Sequence, residues 1–399
     1  MSSSEQTLSG AKDQILRAID AKKDILENVV KTLYDNPELG HQERASSTML
    51  ADELEQAGFS VERQIAGMET SFVATWGTGD GPRIAILAEY DALPGIGHGC
   101  GHNTIAASAL GAALGLVSAE PSLPGTLLVF GAPAEEGAVD NAGGKVLLVN
   151  DGCFKDIDAA MMIHPSTRNV VGGSSIAREA FAVSFKGKPA HAAGAPHKGI
   201  NALDALIQTF NSVNALRQHV KDDVRIHGII THGGEAPNIV PEFAEGRFYA
   251  RAADRGYLAE VVDKIKNCAK GAALATGAEM EWRQTANTYE NMTSNKVLSE
   301  TFANNVKLLG KEIEWAQGRG GGSTDMGNVS QVVPSIHPYV RICSEAINGH
   351  SREFADATVT PEGLAGMMLG AKALALSAWD LFSDPALLDK AKAEFDSGS

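Results

Sequence analysis

The stretch between Ile84 and Val117 constrains the fold of this chain most strongly. Its first residues, Ile84–Ala88, form a continuous apolar run that predicts a buried β-strand. A loop with a glycine at every second position follows. The run of small residues at Thr104–Val117 then predicts a helix with Asn103 as its N-cap. A buried strand followed by a loop and a helix is typical of an α/β sheet whose faces are both covered.

The loop between this strand and this helix carries the first candidate functional residues. Glu89 and Asp91 follow the strand directly, and His98, Cys100 and His102 alternate with glycines. In an open α/β sheet, ligands bind at the carboxyl ends of the strands. We therefore expect a functional site at this edge of the sheet.

The rest of the chain predicts a catalytic domain interrupted by an insertion. Up to residue 176, apolar strands such as Thr126–Gly131 alternate with helices, which is typical of a mostly parallel sheet. Between residues 177 and 290 the order is β-α-β-β-α-β, as in a ferredoxin-like α+β unit. The α/β pattern returns in 291–399, with a predicted strand at Val332–Val340 and a helix at Pro361–Phe382. Residues 177–290 are therefore expected to be inserted between two parts of one α/β domain.

Composition and charge limit the partners and the compartment. The net charge of −15 argues against nucleic acid or an anionic membrane surface as a partner. The four cysteines are widely separated, which is typical of a reducing compartment. The N-terminus lacks the pattern of a signal peptide, and no apolar run approaches the roughly 18 residues that a transmembrane helix needs. We expect a soluble, cytoplasmic protein.

Side chains of the types that bind metals follow three predicted strands and recur near the C-terminus. They are Cys100, His102, Glu135, Glu136, His164 and His350. Thiolate, imidazole and carboxylate together suit zinc or a similar first-row ion, whereas calcium would require oxygen ligands only. The set is too large for one tetrahedral ion, and a bridging group would let it serve two. Because adjacent residues point in different directions, one of the two glutamates can bind metal while the other acts as a general base.

Other patterns have simpler explanations. A single histidine is more often a surface or hydrogen-bonded residue than a ligand, and five are interpreted in that way: His41, His197, His219, His227 and His337. No GxSxG motif of a serine hydrolase is present. The glycine-rich segment at 320–325 lacks the lysine of a phosphate-binding loop, so we interpret it as a loop that approaches a substrate closely.

Several motifs resemble those of the M20 metallopeptidase family. They are Glu89-Tyr-Asp-Ala-Leu-Pro, Gly99-Cys-Gly-His-Asn, Pro133-Ala-Glu-Glu-Gly, His164-Pro, Lys188-Pro-Ala-His-Ala-Ala, Pro237-Asn-Ile-Val-Pro, Gly322-Ser-Thr-Asp and Gly349-His-Ser. Within the family, the chain resembles the branch of aminoacylases, aminobenzoyl-glutamate hydrolases and related dipeptidases. The motifs occur in the family's order and extend over nearly the whole chain. The resemblance implies a catalytic α/β domain with two metal ions, and an inserted lid domain that commonly forms a homodimer.

The resemblance also implies a role for each matching residue. The implied metal ligands are Cys100, His102, Glu136, His164 and His350. Glu135 would be the general base, Asp91 would steady the site, and His191 would reach the scissile carbonyl oxygen, often across a dimer. The implied substrate-binding residues are Asn238, Arg251, Gly322 and Ser323, with Arg251 on a carboxylate.

Two departures from the family pattern leave roles open. Asn103 stands where many relatives have aspartate, and Glu89 stands where other branches have a ligand histidine. Glu89 could therefore support the ligands or be one itself. His98 could lie behind the ligands or at the rim of the substrate site.

The sequence as a whole predicts a metal-dependent amidohydrolase. Its substrate would be an N-acyl amino acid, an aminobenzoyl-glutamate-like compound or a dipeptide. Its two divalent ions would be zinc or manganese, with cobalt and nickel as further candidates. Two alternatives remain open at this stage: a catalytically silent binding protein of the same family, and a hydrolase of the same fold that releases ammonia from an aromatic amine.

Overall fold

A computed structural model describes residues 10–77, 79–318 and 320–398. The helices are α1 (Gly10–Asp20), α2 (Lys23–Asp35), α3 (Arg44–Gln56), α4 (His102–Ala119), α5 (Gly144–Asn150), α6 (Ala202–Leu216), α7 (Arg255–Thr276), α8 (Lys296–Leu308), α9 (Met326–Ser330), α10 (Arg352–Thr358), α11 (Pro361–Ser383) and α12 (Pro385–Asp396). The strands are β1 (Ser60–Arg63), β2 (Phe72–Gly77), β3 (Arg83–Ala88), β4 (Thr126–Gly131), β5 (Ala159–Met161), β6 (His164–Ser166), β7 (Val170–Val171), β8 (Ala177–Lys186), β9 (Arg225–His232), β10 (Phe243–Ala252), β11 (Glu279–Gln284), β12 (Glu314–Trp315), β13 (Ser335–Ile336) and β14 (Tyr339–Arg341). The described residues form two compact units: one comprises those within 1–174, 292–320 and 325–399, and the other comprises 175–291 and 321–324.

The first unit is built on a mostly parallel sheet. Its strand order is β1-β2-β4-β3-β5-β13, and the four strands from β4 to β13 run parallel. The apolar residues of β3 and β4 are buried on both faces of the sheet, which explains their continuous hydrophobic sequences. In the register of this sheet, Ala88 at the end of β3 lies beside Gly131 at the end of β4. The segments that follow these strands therefore begin side by side.

Helix α4 lies at the centre of the core of this unit. Every residue from His102 to Val117 is buried. Two glycines allow neighbouring helices to approach closely, because a Cβ at Gly111 would lie 2.6 Å from Leu26 and one at Gly115 would lie 2.1 Å from Ile19. The small residues of α4 are therefore required by packing and not only by helix propensity.

Two sequence-based expectations about local structure are wrong. Asn103 is the second residue of α4 and not its N-cap; its buried amide donates to the Val30 carbonyl and to Thr358 Oγ1. The expected strand Val332–Val340 is two short strands in different sheets, β13 beside β5 and β14 beside β6. Pro334 and Pro338 lack the N–H group that a continuous strand would need there.

The second unit has the expected ferredoxin-like architecture. Its sheet order is β11-β8-β10-β9, and every neighbouring pair is antiparallel. The core forms between one face of this sheet and helices α6 and α7, with Phe181, Phe248 and Leu258 fully or almost fully buried. The opposite face carries the alternate residues of the strands, among them Arg178, Tyr249 and Arg251. The fold class expected from the sequence is confirmed.

Helix α11 is apolar because it belongs to the core. By length and composition alone it could cross a membrane, but 72% of its most apolar 18-residue segment is buried inside the protein. Its residues pack in the same core as α4.

Candidate dinuclear metal site

The candidate site lies where strands β3, β4 and β5 end. Glu89 and Asp91 follow β3, Glu135 and Glu136 follow β4, and His164 begins β6 shortly after β5. Parallel strands end at the same edge of their sheet, so the topology brings these segments together. His350 comes from the distant loop before α10, and its backbone N–H donates to the Gly99 carbonyl at 2.8 Å.

Gly101 allows the loop of Cys100 to pack against the loop of His164. Its φ is +80°, a left-handed conformation that favours glycine. A Cβ there would lie 2.5 Å from Cγ of Pro165. This close approach helps to explain the 3.4 Å separation between Cys100 Sγ and His164 Nε2. Close packing against Pro165 therefore explains why a glycine precedes His102.

The expected metal ligands converge in overlapping groups. In each of three triplets, one donor atom per residue lies within 4.8 Å of the others: Cys100, His102 and His164; Cys100, Glu136 and His350; and His102, Glu135 and Glu136. Cys100, His102 and Glu136 each belong to two triplets. Such sharing is what two adjacent ions with a bridging ligand require.

His102 and His164 each place Nδ1 against a hydrogen-bond acceptor, as histidines that bind metals do. The Nδ1 atom of His102 lies 3.0 Å from Asp91 Oδ1, and Nδ1 of His164 lies 2.8 Å from the Pro165 carbonyl. When Nδ1 donates its proton to such an acceptor, the lone pair on Nε2 faces the cluster. His102 Nε2 and Glu136 Oε1 are both buried and have no hydrogen-bond partner. The residues present therefore fit a metal site.

Asp91 connects two parts of the cluster. Its Oδ1 atom holds His102, and its Oδ2 atom accepts the backbone N–H of Glu136 at 2.9 Å. Burial opposes ionisation of Asp91, but His102 outweighs this effect and lowers the pKa of the carboxyl below its usual value. Asp91 is thus an ionised support that fixes both the His102 ring and the backbone of Glu136, two of the expected ligands.

The cluster contains more buried acidic groups than the cationic side chains around it can keep ionised. Glu89, Asp91, Glu135 and Glu136 are each at most 9% exposed. Burial, reinforced by the charges of Glu89 and Glu136, raises the pKa of Glu135 well above its usual value. Burial likewise raises the pKa of the Cys100 thiol, whereas a bound cation would deprotonate it. This surplus of acidic groups is an environment that favours bound cations.

One buried lysine offsets part of this charge. Lys145 Nζ donates to Glu89 Oε2 at 2.5 Å and to Asp325 Oδ1 at 2.6 Å. Although burial opposes it, the Lys145 charge, together with His102, holds the pKa of Glu89 at about 2. Glu89 Oε1 lies 3.3 Å from His102 Nε2. Glu89 therefore lies between a lysine that binds it and the donor atom of an expected ligand.

The loop that carries the two glutamates is fixed by Glu43. Its buried carboxylate accepts the backbone N–H of Ala134 at 2.9 Å and the hydroxyl of Thr70 at 2.9 Å. Ala134 has a φ of +57°, which is unfavourable for a residue with a Cβ, so this contact holds an unusual backbone turn directly before Glu135.

Some of the supporting residues are not predictable from the sequence. Lys145 and Glu43 stand in no motif, and the role of Asp325 at the end of Gly322-Ser-Thr-Asp is not visible there, because their partners lie far away in the chain. His337, interpreted above as a surface or hydrogen-bonded residue, is buried, and its ring lies 5.5 Å from that of His164. His98 is 1% exposed, which is inconsistent with a position at a substrate rim.

The second unit contains the remaining expected residues, in two groups. His191 and Asn238 lie on paired loops, where Ala192 N donates to the Asn238 carbonyl. His191 Nδ1 accepts the backbone N–H groups of Ala193 and Gly194, so its Nε2 carries the proton of the neutral ring and points away from these bonds. Arg251 and Ser323 form the other group, with 3.3 Å between Nη1 and Oγ. The neighbouring Gly322 accepts the Ile176 N–H through its carbonyl.

Comparisons with known proteins identify the family. The M20 peptidase dimerisation domain matches residues 177–276. The Xaa-Arg dipeptidase of Mus musculus is 38% identical over 410 aligned positions, which cover 98% of this chain and 94% of the mouse protein. This chain belongs to the M20 family. One component of the p-aminobenzoyl-glutamate hydrolase of Escherichia coli is 34% identical over 67% of this chain and 59% of its own length.

Solved structures show the same fold. A dinuclear metal-binding peptidase of the M20 family from Bacillus subtilis covers 90% of this chain and 98% of its own, with a TM-score of 0.63 and 22% identity. A putative aminohydrolase from Staphylococcus aureus covers 92% of this chain and 99% of its own, with a TM-score of 0.73 and 19% identity. The M20 protein described here is a metal-dependent hydrolase of an amide bond. The family and the type of reaction expected from the sequence are confirmed.

Proposed function

We propose that this M20 enzyme hydrolyses the amide bond of an N-acyl amino acid or dipeptide that ends in a free carboxylate. The observation that carries this proposal is the buried acidic cluster around Cys100, whose thiol is shared between two groups of potential ligands. The names of the relatives suggest two substrate classes, Xaa-Arg dipeptides and aminobenzoyl-glutamate-like compounds.

The proposed metal ligands are Cys100, His102, Glu136, His164 and His350. This mixture of sulfur, nitrogen and oxygen donors favours zinc or manganese, with cobalt and nickel as further candidates. Two divalent ions bound here would lower the pKa of a water molecule and polarise the scissile carbonyl. Asp91 supports this arrangement by orienting His102.

Glu135 is the proposed general base. It takes a proton from the attacking water and passes it to the nitrogen that leaves when the amide bond breaks. One observation supports this role: its Oε2 atom lies 4.0 Å from Nε2 of His102, one of the proposed metal ligands.

Two groups of the second unit are proposed to bind the substrate. The Nε2–H group of His191 stabilises the negative oxygen that forms when water attacks the carbonyl carbon. Arg251 binds the substrate carboxylate, for which its planar fork of N–H donors is suited. Asn238, Gly322 and Ser323 complete the proposed substrate contacts.

We further propose that the insert, residues 177–290, acts as a lid and as the interface of a homodimer. The match to a dimerisation domain supports this assembly. So does the edge strand β9, which exposes 66% of Ile229 and 47% of Ile230. An unpaired strand edge with exposed apolar side chains is suited to contact a second copy.

A reducing compartment such as the cytoplasm is the proposed location. All four cysteines, including the proposed ligand Cys100, are free thiols. Free thiols are typical of reducing compartments. Fractionation of cells that produce the native protein would check this location.

A substrate panel tests the proposed activity. N-acyl amino acids, aminobenzoyl-glutamate and dipeptides would each be incubated with the metal-free protein reloaded with zinc or with manganese. We expect cleavage that releases the C-terminal amino acid, and no activity in the presence of a chelator. Release of ammonia without amide cleavage, or turnover that survives metal removal, would contradict the proposal.

A further inference from the structure

A row of arginines crosses the second unit on the sheet face opposite α6 and α7. In the antiparallel register, Arg251 of β10 lies directly opposite Arg178 of β8 on one side and Arg225 of β9 on the other. Directly opposed residues of an antiparallel pair point to the same face of the sheet, and like charges in such positions destabilise it. The charges of three adjacent arginines therefore destabilise this part of the sheet unless an anion binds beside them.

Arg178 is the least accessible member of this row. It is only 4% exposed, and its guanidinium carbon lies 3.7 Å from the ring centre of Tyr289 and 5.1 Å from that of Tyr249. Stacking uses the faces of the guanidinium plane and leaves its edges available to other groups. Its Nε and Nη2 atoms are buried and have no hydrogen-bond partner.

These two nitrogens form one edge of the guanidinium group. Nε–H and Nη2–H point in the same direction, and this edge matches the two oxygens of a carboxylate. Among the described residues, no carboxylate lies within ion-pair distance of Arg178. The adjacent Glu179 faces the helices instead, where it lies 3.9 Å from Arg255. The side chain of Arg178 is therefore buried, oriented by an aromatic ring and lacking an anion.

The neighbouring groups add to the positive potential of this face. Arg251 contacts Ser323 Oγ and lies 5.9 Å from the ring centre of Tyr249. Arg225 donates to the backbone carbonyl of Val224 at 2.8 Å. This acceptor is neutral, so it does not compensate the charge of Arg225. Burial lowers the pKa of His227 on the same face, and the charge of Arg251 lowers it further. The face is thus suited to a ligand with more than one negative charge.

We propose that Arg178 binds a second carboxylate of the substrate, so that the enzyme prefers a leaving amino acid with an acidic side chain. This inference rests on the proposed function, in which Arg251 binds the α-carboxylate. Arg178 then pairs through Nε and Nη2 with the side-chain carboxylate of glutamate or aspartate. Of the two substrate classes proposed above, this assignment favours the glutamate conjugates and disfavours the Xaa-Arg dipeptides, whose cationic side chain the arginine row would repel.

The test compares three substrates that share one acyl group and end in glutamate, glutamine or arginine. For the wild-type enzyme we expect kcat/KM to fall in that order. In Arg178→Gln the preference for glutamate over glutamine should fall by about 10- to 100-fold, the usual value of a hydrogen-bonded charge pair. The loss should appear mainly in KM, since Arg178 contacts no reacting atom in this proposal. Arg178→Glu should favour the arginine substrate.

The ratio of the kcat/KM values of two substrates, measured on one protein sample, does not depend on how much of that sample is folded. A destabilised variant therefore remains informative. Arg283→Gln is the matched control, because Arg283 lies on the same face of β11 but 3.9 Å from Glu245. It should leave the substrate ratio unchanged. An unchanged ratio in Arg178→Gln, or a wild-type preference for the glutamine or arginine substrate, would overturn the proposal.

A binding measurement separates this inference from the proposed function. If none of the three substrates is cleaved, the proposed function fails, but calorimetry can still compare N-acetyl-glutamate with N-acetyl-glutamine as ligands of the same protein. Tighter binding of N-acetyl-glutamate that is lost in Arg178→Gln supports the second carboxylate subsite. Equal binding of both compounds overturns it.

Discussion

Glu43 illustrates how a residue outside the proposed metal site fixes the loop that carries Glu135 and Glu136. Its carboxylate holds Ala134 N directly before Glu135, yet it is fully buried and close to the charge of Asp91. Burial, and then Asp91, raises its pKa to about 7 from an ordinary value of 4.5. In the folded protein, Glu43 therefore retains a proton that the unfolded chain loses at lower pH. The resulting stabilisation is complete below about pH 4.5 and is lost as the pH rises through about 7.

Glu43→Gln should reduce this pH dependence of stability. The amide side chain of the variant stays neutral at every pH. Between pH 4.5 and 8, the free energy of unfolding of the variant should therefore fall by about 3 kcal/mol less than that of the wild type. Denaturant unfolding at several pH values measures this difference. Glu69→Gln, at an exposed position, is the control and should leave the pH dependence of unfolding between pH 4.5 and 8 unchanged. Equal pH dependence in Glu43→Gln and the wild type would show that Glu43 does not titrate as described.

At the scale of elements, the small residues of α4 determine how closely α1 approaches. An alanine at position 115 would place its Cβ 2.1 Å from Cγ1 of Ile19. Gly115→Ala should therefore lower the free energy of unfolding by about 1–3 kcal/mol, as overpacked cores do. Denaturant titration of the purified variant would measure the change.

Gly271→Ala in α7 is the matched helix control. A Cβ at this exposed position meets nothing within 4 Å. The variant should gain up to about 1 kcal/mol from the better helix propensity of alanine. If both glycine variants were stabilised, the close packing of α1 on α4 would not constrain position 115.

The strands and helices were predictable where their sequence period was regular. The buried runs of β3 and β4 and the alternating strands of the second unit follow directly from periodicity. The segment at 332–340 was not predictable in this way, because the two prolines divide an apolar run between two sheets. The position of Asn103 inside α4 is not predictable either, because its hydrogen-bond partners, Val30 and Thr358, are distant in sequence.

The candidate site shows the same limit. Four of its expected ligands stand in motifs after strands β3, β4 and β5, so the topology of the sheet brings them together, whereas His350 comes from a distant loop. Lys145 and Arg178 stand in no such motif, and the motif that ends in Asp325 does not indicate its ion pair with Lys145. Their importance depends on burial and on charges that only the fold reveals.

At the scale of the whole molecule, the proposed homodimer depends on the exposed edge of the second unit. Replacing Ile229 by lysine would place a charge on the edge strand β9, where its side chain is 66% exposed in the monomer. We expect the dimer dissociation constant to rise about tenfold or more, because burying this ammonium group at an interface is costly. Analytical ultracentrifugation over a range of concentrations would measure it.

Leu274→Lys is the control for this prediction. Leu274 lies on α7 and is 87% exposed, so the same charge is added away from the edge strand. It should leave the dissociation constant unchanged. A dimer that is insensitive to Ile229→Lys, or a wild-type protein that stays monomeric at high concentration, would contradict the proposed interface.

We propose that the cluster holds two divalent ions while Glu135 beside them transfers the proton. Metal content and turnover, measured on the same samples of the wild type, Glu135→Gln and Glu136→Gln, test both parts of this mechanism. We expect two metal equivalents in the wild type and in Glu135→Gln, with turnover in the latter reduced by about 100-fold or more. Glu136→Gln should lose metal as well as turnover. Turnover retained in Glu135→Gln, or metal lost from it together with activity, would show that Glu135 is not the base.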